Sequence, residues 1–156
     1  MNEITSRPAR PEDEAFLEAV YASTRQEELA PVPWTPEQKA AFLRMQFQAQ
    51  HRDYHARFPD ASFEIILHDG VPAGRLYVDR RPQEIHVIDI ALLPAHRRAG
   101  IGSSILRNLM AEGDRSRKSV TLYVERFNPA LRLYERLGFT QTADSEVYLL
   151  LERRPS

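Results

Sequence analysis

The chain, 156 residues long, predicts an α/β (α+β) fold in which a mixed central sheet of six to seven strands is flanked by about four helices. Three observations carry that prediction. Apolar residues recur at helical spacing through much of residues 11–58 and at extended spacing from Ala61 onward. A helical stretch, Ile101 to about Arg115, separates two apolar segments at 84–93 and 120–124, which implies a parallel crossover at the centre of the sheet. Paired extended segments on either side of that crossover read as antiparallel hairpins. The length suits one core, hence a single domain over residues 1–156.

Taken in order, Glu3 to Ala9 reads as a short strand. Pro11-Glu12-Asp13-Glu14 opens a helix, with proline near its start and acids in its first turn. Phe16, Leu17, Val20 and Tyr21 give that helix its apolar face. Three prolines between Ala30 and Pro36 forbid continuation, because proline removes a donor and fixes φ. Thr35 caps a second helix running from Pro36 towards Phe58, with Leu43, Phe47, Tyr54 and Phe58 in one stripe. Ser62–His68 is a strand, Asp69-Gly70 a tight hairpin turn and Gly74–Val78 the return strand. Glu84–Leu93 is nearly continuous in apolarity and so reads as a central, two-sided strand. The loop Pro94–Ala99 leads to the helix at Ile101. Val120–Val124 is a strand, Pro129–Leu137 a short helix stopped by Gly138, and Phe139–Thr142 and Glu146–Glu152 the last two strands.

Composition narrows function by exclusion. Twenty-one basic and 22 acidic side chains leave a formal charge of −1, so no basic field draws the chain to nucleic acid or an anionic membrane. Without cysteine there is no disulfide framework, thiolate nucleophile or thiolate zinc site. The start, Met1-Asn2-Glu3-Ile4-Thr5, lacks the pattern of a signal peptide, and no apolar run approaches the roughly 20 residues of a membrane span. A soluble, cytoplasmic protein is expected. His51 and His55 stand one turn apart but have no third ligand in view, so no metal is expected.

The chemistry concentrates in Arg97-Arg98-Ala99-Gly100-Ile101-Gly102, which runs into a helix with Ser103 and Ser104 in its first turn. Unpaired N–H groups at a helix start attract an anion, glycines let a phosphate approach the backbone, and the arginine pair adds charge. It is not a phosphate-binding loop of the nucleotide type, since no Gly-Lys-Ser/Thr follows. It lacks the third glycine and the acid of a dinucleotide fingerprint. The diphosphate of coenzyme A remains.

These residues resemble the GNAT (Gcn5-related N-acetyltransferase) superfamily. Arg97-x-x-Gly100-x-Gly102 fits its (Gln/Arg)-x-x-Gly-x-(Gly/Ala) signature, after Ile88-Asp89-Ile90-Ala91-Leu92-Leu93-Pro94, which is similar to the family's fourth strand. Asn128 to Phe139 is similar to the second motif, Asn…Ala…Leu-Tyr-x-x-x-Gly-Phe. The spacing from Asn128 to Tyr134 is one residue tighter than is common.

The resemblance implies a GNAT fold with splayed fourth and fifth strands and acetyl-CoA as co-substrate. It implies pantetheine along Ile90, Ala91 and Leu92, and pyrophosphate on Arg97, Arg98, Ala99, Gly100, Ile101, Gly102 and Ser103. Asn128 would contact the cofactor. Tyr134 would protonate the departing thiolate, with a phenol pKa of about 10 near the thiol's roughly 8.5. His86 and Glu125 are candidate bases, beside Glu84 and Asp89 and a chain of water. Period-2 alternation puts Glu84 and His86 on one face of their strand and Asp89 on the other. The implied reaction is transfer of acetyl to a primary amine of a small molecule or peptide by direct attack, in a monomer or homodimer. A catalytically silent CoA-binding or regulatory module is the alternative. Trp34, Phe47, Tyr54 and Phe127, with Gln46, Gln50, His51 and His55, are candidates for the acceptor face.

Overall fold

The computed structural model describes residues 3–156; Met1 and Asn2, read above as part of a start without a signal peptide, lie outside the described residues. Seven strands form one sheet in the order β1-β2-β3-β4-β5-β7-β6. The strands are β1 (Ile4–Pro8), β2 (Ser62–His68), β3 (Val71–Arg80), β4 (Glu84–Leu92), β5 (Ser119–Glu125), β6 (Thr140–Asp144) and β7 (Tyr148–Arg153). Among the described residues only β4 and β5 pair in parallel, as the intervening helix requires. That makes a mixed sheet of the predicted kind.

The helices are α1 (Glu14–Ser23), α2 (Gln26–Leu29), α3 (Pro36–Arg57), α4 (Ile101–Ser116) and α5 (Leu131–Arg136). The single turn α2 was not expected from the sequence, because four residues carry too little periodicity to register. Thr35 accepts a hydrogen bond from the Gln38 N–H at 3.1 Å and Gln38 reaches back to the Thr35 N–H at 2.9 Å, a reciprocal cap for α3. Asp69 and Gly70 both take positive φ, 51° and 81°, the geometry of a two-residue hairpin turn with right-handed strand twist.

Helices cover the two faces unequally. On one face Ile101, Ile105, Leu106 and Leu109 of α4 pack on Val78, Ile85, Val87, Val120, Leu122 and Leu151. On the other, Leu17 and Tyr21 of α1 and Phe47 of α3 pack on Ile65 and Tyr77 of β2 and β3. Beyond β4 that second face is less covered, and Tyr123 on β5 is 62% exposed. No described helix is long and apolar enough to cross a membrane.

Candidate active site

The central pair of strands is joined at one end and parted at the other. Glu84 to Val87 register with Ser119 to Leu122, and the pairing stops there although both strands continue. The cause lies on the far side of β4. Against β3, Tyr77 faces Asp89 and Val78 faces Val87, so Ile88 is an extra residue, a bulge that bends β4. Ile90, Ala91 and Leu92 stay paired with β3 through Leu76, Arg75 and Gly74. Their opposite edge, towards β5, has no strand partner among the described residues.

Gly74 is what lets β3 hold β4 there: a Cβ on it would stand 2.1 Å from the Ala91 carbonyl oxygen. The parted strands enclose a cavity of about 700 Å³, bordered by Val87–Ala91 on one side and Leu122–Glu125 on the other.

The bulge also corrects the expected strand phase. Ile85 and Val87 face the α4 core, but so do Ile90 and Leu92, while Ile88 packs with α1 and α3. Asp89 therefore lies on the same face as Ile88 and His86, not opposite His86, because one extra residue reverses a period of two.

β4 hands over to α4 through a 3-10 turn, Pro94–His96, inside the stretch expected to be an irregular loop. Arg98 and Gly100 then adopt positive φ, 63° and 76°. The Ser104 N–H closes the first bond of the helix onto the Gly100 carbonyl at 3.0 Å. The Arg97 N–H is already committed to the Pro94 carbonyl at 3.2 Å, whereas those from Arg98 to Ser103 have no acceptor among the described residues. A helix start with this many free donors and its positive dipole end is suited to an anion. Gly102 has nothing within 4 Å of where its Cβ would sit, so the approach is open. Arg97 folds back instead, its Nε donating to the Leu92 carbonyl at 2.9 Å, where it braces the end of β4.

Tyr134 and Asn128 reach the same cavity from α5 and the turn before it. Tyr134 packs edge-on against Phe139 with ring centroids 5.9 Å apart. Burial, and secondarily the charge of Asp89, push its phenol above the ordinary value, so the proton stays on at neutral pH. The Asn128 Oδ1 accepts from the Ala130 N–H at 2.8 Å, which starts the α5 turn and leaves the amide NH₂ as the outward group. His86 is 5% exposed, and its Nδ1 lies 2.9 Å from the Thr121 Oγ1. Burial, then the positive charge of Arg81, lower its pKa and hold the imidazole neutral. Glu125 borders the opposite wall at the end of β5.

Of the residues expected on the acceptor face, Tyr54 and Gln50 line the cavity. Phe47 is core at 1% exposure. Trp34 packs on Phe42, His51 stacks on Phe47, and His55 stacks on Phe63, all outside the cavity. Phe127, 91% exposed, does not line it either, and Gln46 is occupied by the Tyr21 hydroxyl at 3.4 Å. Sequence reasoning missed Arg75 and Tyr21. Arg75, 3% exposed on β3, forms an ion pair with Asp89 and donates to the Gln50 Oε1 at 2.8 Å. An arginine inside an apolar strand next to a glycine was the available signal. It pairs with Asp89, the acid in the middle of the neighbouring apolar strand.

The sequence model of the Acetyltransferase (GNAT) family matches residues 12–139. A mycothiol acetyltransferase of Corynebacterium glutamicum (strain R) is 31% identical over 147 residues, 88% of this chain and 46% of that protein. The chain thus spans about half the length of the curated relatives it matches. Among solved structures, the PaiA N-acetyltransferase of Thermoplasma acidophilum in complex with coenzyme A superposes with a TM-score of 0.72 at 17% identity, covering 97% of this chain and 99% of that one. Ard1 of Thermoplasma volcanium gives 0.64 at 23% identity, covering 98% of each. These two likenesses concern the fold. The family match takes in the bulged fourth strand, the glycine-bearing helix start and Tyr134 together, and on it the chain belongs to the acetyltransferase (GNAT) family.

Proposed function

We propose that this chain is an acyl-CoA-dependent N-acyltransferase that moves acetyl from acetyl-CoA to a primary amine by direct attack. One observation carries the reading: the free edge of Ile90–Leu92 leads straight into the free N–H groups of Arg98–Ser103. A ligand with amides at one end and a diphosphate at the other suits both, and the cavity between β4 and β5 lies beside them.

The pyrophosphate rests on the α4 start, with Arg98 adding charge, and the pantetheine amides pair with the open edge of β4. Asn128 supplies its NH₂ from the opposite side. The thioester lies in the cavity, where the amine nitrogen attacks the carbonyl carbon. A C–N bond forms and the C–S bond breaks. Tyr134 gives its proton to the leaving sulfur. Desolvation raises the phenol, and it raises the thiol beside it in the same direction, so the transfer stays nearly balanced.

The amine must also lose a proton, and two groups on the cavity can take it. His86 is neutral, and in the tautomer whose Nδ1–H donates to the Thr121 Oγ1 its Nε2 carries the free lone pair. Glu125 stands on the facing strand. His86→Gln and Glu125→Gln, each followed across pH, separate them: the variant that loses the acidic limb of kcat/KM held the proton.

A panel of primary amines with acetyl-CoA, followed by thiol release, tests the activity itself. Coenzyme A binding without turnover on any amine would leave a silent binding module in its place.

A further inference from the structure

Building on that acyltransfer reading, we propose that the acceptor is a small amine bearing a carboxylate, an amino-acid-like zwitterion, whose carboxylate docks on a wall formed by Arg25 and Arg75. The wall has more donors than acceptors. A guanidinium carries five N–H donors. In Arg75 the Nη2 serves Gln50 and Asp89, the Nε is buried without a partner, and the Nη1 makes no hydrogen bond among the described residues. The Tyr77 hydroxyl is also buried, in a residue 1% exposed, and lies beside Arg75 without a well-formed hydrogen bond among the described residues. Arg25 adds a second buried, unpartnered Nε. Both guanidiniums lie over the ring of Tyr21, 5.2 Å and 5.8 Å from its centroid, and all three residues line the cavity.

Nearby acceptors take up only part of this donor set. Arg75 uses the Gln50 Oε1 and the Asp89 Oδ2. Glu28 meets Arg25 only at 3.4 Å, and its side chain is 63% exposed, so solvent screens it. Asp89 offsets the charge of Arg75, while the Glu28 partner of Arg25 is largely in solvent, so Arg25 is the less neutralised of the two cations. Buried donors in this state call for an acceptor of charge and reach, and a carboxylate supplies both. Across the cavity, Glu125 has no ion-pair partner among the described residues and faces the gap from β5. A zwitterion spanning the two walls puts ammonium near Glu125 and carboxylate at Arg25 and Arg75, with its nitrogen at the parted strands.

The test separates docking from turnover. N-acetylglycine, N-acetylalanine and N-acetylphenylalanine, and the methyl ester of each, are titrated by calorimetry into the chain saturated with coenzyme A. At least one free acid should bind about tenfold or more tightly than its ester, the worth of one charge-assisted hydrogen bond. Arg25→Gln, with an unchanged melting temperature, should bring that ratio close to one. Equal affinity of acids and esters, no binding by any of them, or a ratio that Arg25→Gln leaves in place would each overturn the carboxylate site. Thiol release with the parent amino acids and their methyl esters, run in parallel, reports on acyl transfer separately. Turnover without preference for the acid sinks the carboxylate site and spares the acyltransfer reading. Tight, acid-selective binding without turnover does the reverse.

Discussion

The two halves of the β4–β5 pair share strands and neighbours but do different work. In the closed half, Glu84–Val87 lie in register with Ser119–Leu122, and the polar pair His86–Thr121 is buried and satisfied. In the open half, the bulge at Ile88 turns β4 away, backbone groups lose their partners and titratable side chains meet a cavity. Ladder hydrogen bonds given up in one place become binding capacity in the same place. The closed half and the Gly74 contact stabilise what the open half leaves unmade, as is usual where function departs from ideal structure.

The comparison can be broken most severely at Tyr134, the proton donor proposed for the open half. Tyr134→Phe should lower turnover by roughly 10²-fold or more while leaving acetyl-CoA binding and the urea midpoint near wild type. Steady-state kinetics alongside calorimetry would show it, and an unchanged kcat reduces Tyr134 to a packing residue. Next comes the far end of the same half. Gly102→Glu places a carboxylate at free N–H groups in open space, so coenzyme A affinity should fall by at least about tenfold without loss of fold. Undiminished affinity by calorimetry would remove the pyrophosphate from the α4 start.

Gly74→Ala attacks the hinge between the halves. Its Cβ cannot coexist with the Ala91 carbonyl 2.1 Å away, so β4 must shift, at a cost of roughly 1–3 kcal/mol in urea unfolding. Stability equal to wild type would show that β4 moves freely there.

The smallest effect belongs to the closed half and to pH. The His86 pKa is lowered in the fold, so it contributes stability that is complete above the unfolded value of about 6.5 and is lost as pH falls through the folded value. His55 is lowered as well, by burial and by His51, so it shares the trend. His86→Gln should flatten, but not abolish, the fall in urea midpoint below about pH 6.5. A pH dependence as steep as wild type would mean that His86 is not held neutral.

Much of this arrangement was legible in the residues because it rests on local chemistry. The Pro36 helix start with its Thr35 cap, the Asp69-Gly70 turn, the parallel crossover and the glycine-bearing helix start at Ile101 each follow from a few neighbouring side chains. Tyr134 was legible through its setting among Asn128, Gly138 and Phe139. The acceptor candidates fared worse. Phe47 and Tyr54 stand seven residues apart on one helical stripe, yet Phe47 is core and Tyr54 borders the cavity. A helix face specifies direction, not how far along the helix the sheet continues to cover it.

What the sequence by itself determined, then, is the order of the strands and of the four longer helices, the capped start of α3 and the unpaired N–H groups at the start of α4, since these depend on backbone propensity and capping within a few residues. Tertiary structure alone decided the phase of Asp89, the ion pair that joins it to Arg75 and the gap between β4 and β5. One inserted residue at Ile88 reverses which face a side chain occupies, and it is registered only against the partner strand. Arg75 and Asp89 are 14 residues apart in the chain, and burial makes each require the other.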